Sequence, residues 1–576
     1  MKKFVSILFY LCLSFFLAAN IAASSETKPK RSKRSQEPLK IKVTSWGRTQ
    51  AEIDAAKFRV ERSAAVQTAL KNAKYRLISF SYIEDEDKSR PAQVPLRFRV
   101  VFYNYTGDRT FVAEGDFAGR EEINVREENF EPGVSDEELQ AAVDLIKADA
   151  KLGALYSNDE LRTFGAMPPV SYVDGERLVN IGISYTKTGE NRVVGISFKN
   201  NKVVTYKGSA PATSRATPES CGIVDAGQGF TPPGTAGQYQ LSVSQNGITL
   251  WEMLVVRPSI SSGNPAERSG IEIRNVKYKG KSVLKRAHVP VLDVQYENDF
   301  CGPFRDWQYA ENFFNAPAEG ATNPADGFRI LAAGQVAQTA LDSGDDRGNF
   351  RGVALYTQDV GFGNEAVLVS EMEAGWYRYI MEWRFAPDGT IRPRFGFGAT
   401  NDSCVCHTHR HHVYWRFDFN VVSPQNKLFQ IERGRKFMQP ITNETARLRN
   451  YATNRRYLIQ NSNGAEGYLL VPNLTDGFSD AFSGGDFWFL RYKQKADGEP
   501  DELDDPNSDT GDPNLDVPAN FAPWLNNESL AGQDVVVWYA AHFVHSDGGN
   551  LLSPDRSGNI LTSDHVVGPD LRAVHW

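Results

Sequence analysis

The chain has 576 residues, 41% of them apolar, and a formal charge of −7 at neutral pH. At roughly 150 residues per domain that is material for several domains with real cores. The mild negative charge excludes the basic signature of a nucleic-acid binder. The 34 Phe and 22 Tyr against 6 Met favour strands over a helical bundle.

In chain order, Lys2 and Lys3 precede the apolar run FVSILFYLCLSFFLAANIAA and then small residues. This is the pattern of a secretory signal peptide over 1–24, cleaved near Ala22 to Ser24. A basic linker, 25–38, follows. No later segment has the ~20 continuous apolar residues that span a bilayer. The mature protein is therefore expected to be soluble, free of membrane, and exported to a periplasm or the extracellular space. Cys12 leaves with the signal. Cys221, Cys301, Cys404 and Cys406 remain, and an oxidising compartment favours disulfides among them, with three pairings open.

Residues 39–130 read as a small α+β domain. Helical character over 49–73 gives way to the alternating runs KYRLISFSYIE, VPLRFRVVFYNY and TFVAEGDF. Residues 131–210 repeat the pattern. Their helix opens with Ser135 and has Glu138 three residues on, a capping box. A Ser/Thr/Pro/Ala-rich linker, 211–234, separates these from 235–576, which is nearly all strand and turn. The expected fold class is mainly β with α+β: a large antiparallel β-sandwich preceded by two small α+β domains. The acidic stretch 494–517 reads as a solvated loop; a calcium site there would lack EF-hand spacing.

Residues 404–415, CVCHTHRHHVYW, hold four of the nine histidines. In a strand, positions i and i+2 share a face. His407, His409 and His411 therefore line one side and His412 the other. Two rigid imidazoles on one face suit zinc, copper, iron or nickel. Cys404 and Cys406 would add thiolates, but an exported chain favours their oxidation to disulfides. A further ligand must come from elsewhere, and His542 and His545 end the apolar run that starts at Asp534.

These pieces resemble the copper amine oxidases, a topaquinone-dependent family. Arg416 and Asp418 follow His409 at the offsets of the family's His-x-His strand, so the resemblance assigns His409 and His411 to copper. Counting from Trp538 lands on His545 as the third ligand, with His542 as the fallback. A second, calcium-type site maps onto Asp418, the Phe419 carbonyl, Asn420, Asp534 and the Val535 carbonyl. The stretch YRYIMEWRFAPDGTI places Tyr377 on the precursor of topaquinone, with Tyr379 orienting it. The family's Asn before that tyrosine and acid after it are here Trp376 and Arg378, and Glu373 replaces a usual Thr. A straight count puts Ala310 at the catalytic base, flanked by Asp306 and Glu311, either of which could serve.

The resemblance implies an exported, copper- and quinone-dependent oxidase, a homodimer. It would convert a primary amine and O₂ to aldehyde, ammonia and hydrogen peroxide. The alternative is a copper-binding relative whose tyrosine stays unmodified, either a different copper oxidase or a non-catalytic protein.

Overall fold

The computed structural model describes residues 37–83, 93–130, 132–187, 190–206, 222–223, 237–260, 269–296, 306, 308, 310–361, 363–400, 405, 408–477, 485–492, 521–545 and 566–576. Outside them lie residues 1–24, read above as a signal peptide, nearly all of the basic linker, the acidic stretch 494–517, His407, Cys221, Cys301, Cys404 and Cys406. Contacts divide the chain into Met1–Pro38 and Leu39–Trp576, and the second part holds every element below. Among the described residues, no helix is long and apolar enough to cross a membrane.

The first helix runs Gln50–Glu61. Thr49 and Glu52 close a reciprocal capping box at its start. The helical stretch is broken at Ser63, whose side chain caps a second helix, Ala64–Ala69. Val60, Val66 and Leu70 from these helices pack on Phe98, Val100 and Phe102 of a four-stranded sheet spanning Tyr75–Glu128. The second helical segment, Asp136–Ala148, carries the Ser135–Glu138 box. It precedes another four-stranded sheet, built from strands between Leu161 and Thr205.

Glu138 does more than cap. It is fully buried and accepts from Arg177 Nη2 at 3.0 Å and from the Tyr105 hydroxyl. Arg177 also donates to the Gly133 carbonyl at 2.6 Å. Removing one member of a buried charge pair strands the other, which costs about 3–5 kcal/mol. Arg177→Met is expected to lower the calorimetric midpoint of the transition that melts these two sheets. An unchanged midpoint would mean that the pair contributes nothing there.

The rest of the chain forms two large sheets. One has nine strands, ordered Lys40–Ser45, Gln238–Gln245, Ile248–Val256, Glu272–Tyr278, Lys281–Tyr296, His409–Phe419, Val535–His545, Phe487–Arg491 and Thr445–Arg447. Lys40–Ser45, read from sequence with the first small domain, is thus an edge strand of this sheet, paired with Gln238–Gln245. The other sheet has thirteen strands and carries Asn364–Ala374, Tyr377–Phe385 and Ile391–Ala399 side by side. The fold is therefore mainly β with antiparallel sheets, as the alternation in the sequence implies.

The inner faces of the two sheets share one core. Trp415, Phe417, Tyr539 and Phe543 of the first sheet meet Tyr379, Trp383, Phe395 and Phe397 of the second. Phe397 and Phe543 stack at 4.9 Å across the seam. The back of the nine-stranded sheet is covered as well, by Phe521 and Trp524 over Tyr414, Trp488 and Trp538. His409–Phe419 is consequently buried along nearly its whole length. A strand covered on both faces loses the usual in/out alternation.

Candidate active site between the two sheets

The site is assembled where the tyrosine strand, Tyr377–Phe385, faces the histidine strand, His409–Phe419. Tyr377 is the first residue after a tight hairpin, with Ala374 and Tyr377 as the closing pair. Gly375 occupies the first turn position at φ +60, which a side chain would make costly. Tyr377 and Tyr379 share the inner face, and their rings stack at 5.3 Å and 8°.

His409 and His411 project from the histidine strand toward these rings. Their ring centroids are 5.0 Å apart. The Tyr377 hydroxyl is hydrogen-bonded to His409 Nε2, and the His411 ring stands edge-on to Tyr377 at 4.7 Å. All three are buried. His545 is the ladder partner of His409. The His545 side chain lies outside the described part of the structure.

His412 and His542 are also ladder partners, but by strand alternation they lie on the back of the sheet. Their rings meet at 5.2 Å, and His542 Nε2 bonds Asp486 Oδ1 at 2.9 Å. His542 therefore stands away from Tyr377, with His412.

The two candidate bases occupy different environments. The Tyr379 hydroxyl donates to Asp306 Oδ2. Burial pushes the Asp306 carboxyl up to about 8, and the neighbouring Asp293 adds to the rise; the bond from Tyr379 opposes it. Glu311 is committed elsewhere. It accepts from Arg257 Nε at 2.8 Å and from the Ser259 amide at 3.1 Å. Burial alone would raise Glu311, but the Arg257 guanidinium and these bonds hold it below the usual carboxylate range. Ala310 pairs with Glu373 at the edge of the tyrosine-bearing sheet.

The calcium-type set gathers at the far end of the same strands. Asp418 pairs with Val536, and Val535 opens its strand directly after Asp534. Asn420 Oδ1 is buried with no hydrogen-bond donor against it. An oxygen in that state, beside Asp418, Asp534 and the backbone of Phe419 and Val535, fits a hard cation.

Among the described residues, no group of three or more His, Cys, Asp or Glu side chains forms a metal site by itself. The donors at Tyr377 nonetheless suit copper. Two imidazoles on one face converge on a phenol, a third histidine stands in register beside them, and imidazole is a favoured copper donor.

Sequence reading missed Asp293, the ring pair His412–His542 with Asp486, and Asp346. Asp346 binds Arg378 on the outer side of the tyrosine strand. The last had a signal. An arginine beside a buried tyrosine calls for a buried acid.

No protein-family model matches the chain, and no curated protein matches it either. Solved structures do match, and they define the class: the fold is that of the copper amine oxidases. Similar structures include the copper-containing benzylamine oxidase from Hansenula polymorpha. It is 13% identical with a TM-score of 0.55, covering 92% of this chain and 97% of that one. The lysyl oxidase of Pichia pastoris is 14% identical with a TM-score of 0.55, covering 93% and 90%. The Aspergillus nidulans amine oxidase is 14% identical with a TM-score of 0.53, covering 94% and 89%.

Proposed function

We propose that this chain is an exported copper- and quinone-dependent primary-amine oxidase. The reaction is R–CH₂–NH₂ + O₂ + H₂O → R–CHO + NH₃ + H₂O₂. One observation carries the reading: the Tyr377 hydroxyl is bonded to His409, with Tyr379 and Asp306 ranked behind it. In this reading the protein is a homodimer, and Asp418, Phe419, Asn420, Asp534 and Val535 hold a calcium ion.

His409, His411 and His545 would hold the copper. Copper bound there would, with O₂, supply the oxidising chemistry for converting Tyr377 to topaquinone, which would serve as the electron sink for the amine. The chain's own residues supply the rest. Asp306 takes the proton from the substrate α-carbon. Tyr379 occupies Oδ2, so Oδ1 receives it. The approaching ammonium favours the ionised carboxylate before the transfer, because an opposite charge lowers a carboxyl pKa. Phe395, Phe397 and Phe543 wall the site and exclude bulk water, which strengthens each of these interactions.

The first test is aerobic copper loading of the protein expressed without residues 1–24. A quinone absorption band and a phenylhydrazine adduct on Tyr377 are expected. Full copper occupancy with no adduct would overturn the oxidase reading in favour of a copper protein with an unmodified tyrosine. A paired substitution tests the metal itself. His411→Ala is expected to lose most bound copper, and His412→Ala, one residue on but on the other face, to keep it. Equal copper content in the two variants would sink the assignment.

A further inference from the structure

The tyrosine strand has an outer face that no step above uses. Arg378, fully buried there, is bound by both oxygens of buried Asp346, with Nη2 3.0 Å from Oδ2. Its Nη1 donates to the carbonyls of Gly375 and of Tyr377 itself, each at 3.0 Å. The intervening carbonyl, of Trp376, accepts from the Thr400 amide at 2.7 Å and the Thr400 hydroxyl at 3.1 Å. All three carbonyls leading into and out of Tyr377 are therefore tied down.

Asp346 is anchored in turn. It accepts from Asn312 Nδ2 at 3.0 Å, and that amide also donates to Glu371 Oε1 at 2.8 Å. Glu371 Oε2 accepts from the Ala340 amide at 2.6 Å. Four polar side chains thus form a hydrogen-bonded chain under the hairpin, in which the buried Asn312 Oδ1 has no hydrogen-bond donor against it. The Arg378–Asp346 end of that chain is a two-bond ion pair, the stronger kind of buried hydrogen bond. A guanidinium can grip a carboxylate and two carbonyls together because its five donors lie in one plane; an ammonium cannot reproduce that fork.

We propose that Arg378, held by Asp346, is a positioning residue that fixes the backbone of Tyr377 and so keeps its hydroxyl against His409. The inference rests on reading Tyr377 as the reacting tyrosine. Arg378 lies on the opposite face of the strand from the histidines. Its described contacts run to Asp346 and to the carbonyls of Gly375 and Tyr377, so it acts on the tyrosine through the hairpin main chain. It also gives a physical use to an arginine that stands where the resemblance leads one to expect an acid.

The test uses the full chain without its signal, as Arg378→Lys, Asp346→Asn, Asp346→Glu and the Arg378→Lys/Asp346→Asn double variant. Each is prepared free of metal, crystallised, and then given Cu²⁺ in air. In Arg378→Lys and Asp346→Asn the Tyr377–His409 contact is expected to lengthen or split between positions. Copper uptake should stay at the wild-type level, while the quinone band grows tenfold or more slowly. Asp346→Glu should recover part of the rate. The double variant should be no slower than the slower single one, because both act through one contact. Should Asp346→Asn fail to fold, Arg378→Lys retains the cation and decides the question. A wild-type Tyr377–His409 contact with a wild-type rate in Arg378→Lys overturns the proposal. If the wild-type protein itself forms no quinone, the oxidase reading falls, and the Tyr377–His409 contact in the variant structures decides the positioning role alone.

Discussion

Tyr377→Phe is expected to abolish amine oxidation, because in the proposed reading the residue is the source of the electron-accepting cofactor. The substitution removes one oxygen and keeps the ring, which stacks on Tyr379 and abuts His411. The fold should therefore survive. The cost to stability is that of leaving the buried His409 without its phenol, about 1–3 kcal/mol. Copper content should persist, since the imidazoles are untouched. Peroxide release over a panel of primary amines, with copper analysis on the same sample, checks both halves. Turnover retained in Tyr377→Phe would sink the proposed chemistry.

Asp306→Asn is the second large effect. Loss of a general base costs roughly 10²–10⁴-fold in rate, and the isosteric amide can still accept from Tyr379. The pH dependence separates a chemical role from a structural one. The base must be ionised, and burial holds Asp306 at about 8. In the wild type, kcat/KM should therefore rise through about pH 8, and in Asp306→Asn that limb should vanish along with most of the rate.

Stability should move the other way. The folded carboxyl binds its proton more tightly than the unfolded one, whose value is near 3.8. Between about pH 4 and 8 the unfolded state ionises while the folded state stays protonated. Stability from this group is thus full below about pH 4 and is lost as pH rises toward 8. Asp306→Asn removes that loss, so its melting temperature should fall less than that of the wild type between pH 5 and 8. Parallel melting curves for the two proteins would show that Asp306 is not held neutral.

The parts of this site legible in the sequence are those set by local periodicity. Alternation along a strand is enough to separate His409 and His411 from His412, and the structure places the first two against Tyr377 and the third behind the sheet. The Ser135–Glu138 box is equally local, four residues with a fixed hydrogen-bond pattern. What could not be read was set by partners distant in the chain. Asp306 and Glu311 are five residues apart and chemically alike. They differ only because Arg257 claims one and Tyr379 the other. Lys40–Ser45 pairs with a strand nearly two hundred residues later, a pairing for which local pattern carries no information. Arg378 and Asp346 form their pair across the outer face of the sheet from positions 32 residues apart; the arginine calls for an acid, but nothing local says which one.

The burial of the histidine strand on both faces has a consequence for folding fidelity. A slip of one residue against its neighbours would exchange the faces of every side chain at once. It would turn His412 toward Tyr377 and His409 and His411 toward the aromatic cover of Phe521 and Trp524. A metal that binds only the aligned chain stabilises that chain by mass action and leaves the slipped one behind. Copper uptake would then act as an inspector of strand alignment, and a molecule that has taken up metal is one whose sheet closed in the right phase.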